Sequence, residues 1–182
     1  ISPVKKFLVR DNYAFIRLTQ FTRRAGKDVA KALNKLKANA KKKGGIKGIV
    51  LDLRSNPGGL LDEAVKLSSI FLKDGIVVST ESRDPNNKNI HYVIKSMKKD
   101  IKTPLVVLVN GASASASEIV AGAIQDHGRG IIMGSQSFGK GSVQTVAQID
   151  KNNGVKLTIA QYMTPKNRKI QGCTLGSWGG DQ

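Results

Sequence analysis

The chain has 182 residues, 40% hydrophobic and 24% charged, which excludes an intrinsically disordered polymer and fits one globular domain with a real core. Thirty Lys and Arg against 13 Asp and Glu give a formal charge of +17, so the molecule is drawn to polyanions whatever its chemistry. A single cysteine, Cys173, excludes an internal disulfide framework; with two histidines, His91 and His127, it leaves too few soft ligands for a zinc site. No apolar run approaches a membrane span, and no signal peptide is visible. The chain begins at Ile1 and reads as a fragment without its targeting segment.

Alternation of apolar and polar residues predicts two short strands before Phe21, hinged at Asp11 and Asn12. Asp28 is placed to cap a helix running to about Lys43, with Val29, Leu33 and Leu36 on one face and lysines on the other. A strand follows over 46–53, then a tight Asn56-Pro57-Gly58-Gly59 loop and a helix over 60–72. Strands are expected at 76–80 and 91–94, separated by a turn at 84–87. Residues 105–109 form a buried strand, and the small-residue segment from Gly111 opens a third helix closed by Gly128. Strands over 131–133, 143–149 and 155–163 complete the pattern, the last two joined at Asn152-Asn153-Gly154. Alternating strands and helices indicate α/β layers.

Three segments could carry chemistry. Ser115 follows a buried strand and opens a helix, where free N–H groups and the helix dipole favour an oxyanion. Ser115 with Glu118 also spells a capping box, which needs no catalysis to explain it, and the usual G-x-S-x-G elbow is absent. Residues 134–141 nearly spell a nucleotide-binding loop. Position 141 is Gly rather than Ser or Thr, however, and a strand-like run follows where a phosphate cradle needs a helix. Lys140 is then either a solvated loop lysine or a desolvated amine able to take a proton from serine. His127 lies 12 residues after Ser115, roughly 18 Å along a regular helix, too far to be its base. His91 reads as a surface residue. The 52–59 segment is either a plain strand-to-helix turn or one that aims a backbone amide into a site.

Together, the runs GIVLDLRSNPGGLLDEAV, PLVVLVNGASASASEIVAGAIQD, GSQSFGKGSVQTV and KLTIAQYMTPKNRKIQG resemble the carboxyl-terminal processing (tail-specific) proteases over residues 1–172. The resemblance implies an α/β core with a mixed β-sheet and flanking helices, similar to Clp-type proteases and crotonases. It implies a serine endopeptidase acting near protein C-termini through a Ser115 and Lys140 dyad, separated by 25 positions. Gln144 would support the lysine, the N–H groups of Gly58 and Ala116 would form the oxyanion hole, and Asp126 would be a structural support. No metal or cofactor is implied. Substrate would bind as an extended strand at a sheet edge. Family members carry a peptide-binding PDZ domain for which these residues leave no room, are often oligomeric, and reside in the bacterial envelope or periplasm. The tail over 173–182 matches nothing in the pattern and reads as disordered. The other readings are a non-catalytic peptide-binding relative of the same fold, a nucleotide-binding protein, and a polyanion-binding module. With only 5% aromatic residues, the last lacks stacking platforms for nucleic acid, and its lysine face reads as a solvated surface tuning contact with anionic envelope surfaces.

Overall fold

The computed structural model describes residues 3–84, 86–148 and 154–170. Strands β1 (Val4–Val9) and β2 (Tyr13–Leu18) form an antiparallel hairpin, and both turn residues, Asp11 and Asn12, adopt the left-handed backbone that Asp and Asn tolerate best. Helix α1 (Ala25–Ala40) leads through a 3₁₀ turn at Lys41–Lys43 to β3 (Gly48–Asp52). Then come α2 (Leu61–Phe71), β4 (Ile76–Ser82), β5 (Ile90–Tyr92), β6 (Leu105–Val109), α3 (Ala116–Asp126), β7 (Ile131–Gly134), β8 (Ser142–Gln148) and β9 (Gly154–Met163). The tail over 173–182 and the Asn152-Asn153 turn lie outside the described residues.

The strands partition into two sheets. A five-stranded mixed sheet has the order β1-β2-β3-β6-β7, antiparallel only at β1–β2. A four-stranded antiparallel sheet has the order β5-β4-β9-β8. The mixed sheet with flanking helices matches the expectation; the second sheet was not foreseen, because local patterning places strands without naming their partners.

Alternation decides which face of the first sheet is covered. Ala14, Ile16, Leu18, Ile49, Leu51, Leu105, Val107 and Val109 are buried and join the core with the apolar stripes of the three helices. The opposite face is also apolar. Phe7, Phe15, Val50, Val106 and Ile131 pair in register across all five strands, yet the outer two, Phe7 and Ile131, are each 48% exposed. Among the described residues no helix is long and apolar enough to cross a membrane.

The start of α1 differs from the expected one. Arg24, in the left-handed region, occupies the N-cap position, while Asp28 lies inside the first turn. The first turn is capped from a distance, because the buried Glu63 carboxylate of α2 accepts the Gly26 N–H at 2.9 Å. At the other end of α1, Lys37 Nζ lies 2.5 Å from Asp100 Oδ2, and Thr103 donates to the same carboxylate through its N–H and Oγ1. Burial resists ionisation of Asp100, but Lys37 and Thr103 outweigh it and hold the carboxyl below its ordinary 3.8. A carboxylate so depressed adds stability above its unfolded value and loses it as pH falls through the folded one. Asp100→Asn is therefore expected to lower stability by about 1–3 kcal/mol near pH 7, and by less near pH 3. Urea unfolding of both chains at the two pH values measures the difference.

Candidate active site

All four parallel strands point their C-terminal ends at one rim of the sheet, and the candidate residues gather there. At the end of β6, Asn110 folds the chain over. Its Oδ1 accepts the N–H groups of Ala112 (3.1 Å) and Ser55 (2.8 Å), and buried Ser113 donates its hydroxyl to the Leu53 carbonyl at 2.8 Å. These bonds delay the start of α3 to Ala116, five residues after Gly111.

Ser115 sits at the break with φ 53° and ψ −113°. That conformation costs a non-glycine residue of order 1–3 kcal/mol and is retained where its surroundings impose it, which marks functional turns. It makes a sharp strand-to-helix elbow without the glycine signature. The Ser115 N–H donates to Glu118 Oε2 at 2.9 Å, the carboxylate half of the expected capping box. Ala116, next in line, has an N–H with no hydrogen-bond partner among the described residues, at the positive end of α3.

Glu118 does more than cap. Its side chain is fully buried, and it also accepts the Lys140 N–H on Oε2 (2.9 Å), and the Gly139 N–H (2.5 Å) and Ser137 hydroxyl (2.7 Å) on Oε1. Two 2.9 Å bonds to one oxygen keep the Ser115 and Lys140 backbone nitrogens within 5.8 Å of each other. Phe138 N–H adds a bond to the Ser113 carbonyl at 2.9 Å. The loop that nearly spelled a phosphate cradle thus directs its amides at a carboxylate of its own chain, and β8 rather than a helix follows it.

Gly58 packs against the elbow. A Cβ added there would lie 2.7 Å from the Ala114 carbonyl, 2.8 Å from Ser115 Cβ and 2.9 Å from the Ala116 nitrogen, with φ at +99°. Its N–H donates to Asn56 Oδ1 at 2.9 Å, so this expected oxyanion donor is held by a side chain in the present conformation. Fully buried Asn56 also donates to the Leu18 carbonyl, while its own carbonyl accepts the Ala114 N–H and the Ser117 hydroxyl. The strand end that launches this loop is held by buried Asp52, which takes two bonds from the Arg54 guanidinium; they outweigh burial and keep Asp52 below its ordinary value.

The remaining expected residues lie further out. Gln144 is exposed in β8 opposite Thr158, and no hydrogen bond joins it to Lys140 among the described residues. Asp126 ends α3, at the opposite end from Ser115. Burial disfavours its charge, but Thr164, the Lys166 N–H and Arg168 outweigh that and keep its pKa low, tying the helix to the turn after β9. His127 follows it, with Nε2 2.7 Å from the Ile76 carbonyl, away from the elbow as the helix length required. Among the described residues no cluster of three or more His, Cys, Asp or Glu could hold a metal ion. The roles of Glu118 and Asn56 in joining loops were not legible locally, since their partners lie 19–22 and 61 residues away; a carboxylate and an amide among apolar neighbours were the only signals.

A family model described as Peptidase family S41 matches residues 12–175. The chain belongs to peptidase family S41. A carboxy-terminal-processing protease of Bartonella bacilliformis is 45% identical over 167 residues, covering 92% of this chain and 38% of that protein. A carboxyl-terminal-processing protease of Synechocystis is 38% identical over 156 residues, covering 86% and 35%. The solved structure of the photosystem II D1 C-terminal processing protease superposes with a TM-score of 0.82 at 33% identity, covering 97% of this chain and 47% of that one. The S41 chain described here thus spans less than half the length of these relatives.

Two substitutions probe the site's architecture. Glu118→Ala strands four buried or half-buried donors and is expected to cost about 3 kcal/mol or more. It should also speed amide exchange at Gly139 and Lys140, read by hydrogen-exchange mass spectrometry beside a thermal melt. Gly58→Ala is expected to displace the elbow while leaving the distant Asp100 network intact, seen as NMR shift changes confined to residues around 56–59 and 113–117.

Proposed function

We propose that this chain is the catalytic core of a serine endopeptidase that cleaves proteins near their C-termini, with Ser115 as nucleophile and Lys140 as general base. The observation that carries the reading is the shared Glu118 oxygen, which brings the backbones of Ser115 and Lys140 together at a strained elbow on a helix N-terminus. In this mechanism Ser115 Oγ attacks the peptide carbonyl and passes its proton to the Lys140 amine, a side chain that is exposed in this structure. Negative charge develops on the carbonyl oxygen beside the unengaged Ala116 N–H; the Gly58 N–H joins once Asn56 Oδ1 releases it. Collapse of the intermediate breaks the C–N bond, Lys140 returns the proton to the leaving amine, and water then hydrolyses the acyl-enzyme by the same base.

An extended substrate has an edge to pair with. β8 leaves directly from the Lys140 loop and is the outer strand of its sheet. A peptide added there would run past Lys140, with Gln144 on the same strand. The longer relatives are the basis for proposing that the whole protein carries a PDZ domain, and oligomeric assembly and an envelope location belong to the same proposal.

Casein cleavage by this chain, Ser115→Ala and Lys140→Ala tests the dyad, with circular dichroism to establish that all three are folded. Both variants are expected to lose at least about 10³-fold in rate. Residual activity of Lys140→Ala should rise with pH as hydroxide replaces the missing base. Full activity of Lys140→Ala at neutral pH would falsify the dyad. Should the parent chain be silent, the same trio with the PDZ segment restored decides between an incomplete core and a non-catalytic relative.

A further inference from the structure

The parallel strands give the molecule two poles. Ser115, Gly58 and Lys140 lie at the C-terminal ends of β2, β3, β6 and β7, so the segments that enter those strands form the opposite pole. There the β1–β2 turn is locked to the α1–β3 connection: Asn12 Nδ2 donates to the Lys43 carbonyl at 2.9 Å, and the Lys47 N–H donates to the Asn12 carbonyl at 3.2 Å. This contact gathers five exposed cations, Arg10, Lys41, Lys42, Lys43 and Lys47, onto one surface. Asp11 is the one acidic residue in the two segments, and no acid occurs between Asp28 and Asp52.

The pole is also apolar in places. Tyr13 and Val9 pair across the hairpin and are 41% and 38% exposed. Ile131, at the entrance to β7, is exposed as well. Cations around exposed aliphatic and phenolic side chains match the boundary of a bilayer, where lysines meet anionic headgroups and a tyrosine sits at headgroup level. Nucleic acid asks for stacking platforms, and the pole offers only Tyr13.

We propose that this pole docks the chain on an anionic lipid surface, with the Ser115 elbow facing away from it. The five residues of β3 separate the two poles by about 17 Å, beyond the Debye length of about 8 Å at physiological salt, so the lipid charge acts on the pole and not on the elbow. The inference uses none of the catalytic assignments and stands or falls separately from them.

Co-sedimentation with vesicles tests it. The chain is expected to bind vesicles of phosphatidylcholine containing one-third phosphatidylglycerol, to ignore pure phosphatidylcholine, and to be released by 1 M salt, where the Debye length is about 3 Å. Each cation near such a surface is worth about fivefold in affinity, so replacing Lys41, Lys42 and Lys43 by Gln should weaken partitioning about 100-fold. The matched control replaces Lys27, Lys31 and Lys35 by Gln, removing the same charge from the solvent face of α1 toward its other end; a loss of less than about 5-fold is expected there. Equal losses in the two variants would overturn the proposal in favour of adsorption by net charge alone. Binding to neutral vesicles as tight as to anionic ones, or tighter binding to a duplex DNA oligonucleotide than to the anionic vesicles, would also overturn it.

Discussion

A single buried carboxylate organises the functional end of this molecule. Removing Glu118 from water is costly for an ion, and its place is secured by four donors converging on its two oxygens and by the positive end of α3. Those donors belong to two loops that would otherwise be free to part. The elbow keeps its strained backbone at Ser115, and the 137–140 loop keeps its turn, because both answer to one side chain. The backbones of Ser115 and Lys140, the proposed nucleophile and base, are therefore set by a third residue.

The same construction recurs around the rim. Asn56 uses every polar atom of its amide and carbonyl to join the end of β2, the 56–59 loop and the elbow. Asp52 fixes the strand end that leads into that loop, Asp126 fixes the far end of α3, and Asp100 ties α1 to the turn before β6. Each is buried and held by several donors, so the loops between them have few alternative conformations. Rigid loops on a packed α/β core are what a reaction needing sub-ångström placement requires.

Much of this fold was legible because its elements are locally consistent. Residues 105–109 are a short apolar run between turn signals and become β6 with the expected bounds; the helix expected over 60–72 becomes α2 at Leu61–Phe71. Where reading failed, the deciding contact was remote. Asp28 looks like an N-cap, but Glu63 of another helix satisfies the first turn, and the cap position falls four residues earlier, at Arg24. Glu118 looks like half of a capping box, which it is, and no local pattern discloses that its free lone pairs meet a loop some 20 residues onward. Family resemblance, and no local motif, singles out Ser115 and Lys140 as the proposed dyad, since the elbow has no flanking glycines. The division into two sheets depends on pairings such as β4 with β9, about 80 residues apart, which periodicity cannot express.

The Glu118 bonds close loops of 19–22 residues, whereas those of Asn56 to the elbow close loops of about 60. Closing the longer loop carries the larger entropic penalty, so the half that holds Ser115 and Lys140 can organise around the β6–α3–β7 segment before the 56–59 loop docks on it. During synthesis the order is reversed. The 56–59 loop leaves the ribosome first and waits some 80 residues, roughly 4–16 s at ordinary elongation rates, for the Lys140 loop to appear. A nascent chain therefore carries no elbow locked through Glu118 to the Lys140 loop until residue 140 has been made, which under the proposed mechanism keeps the serine and lysine apart while the chain is still unfolded.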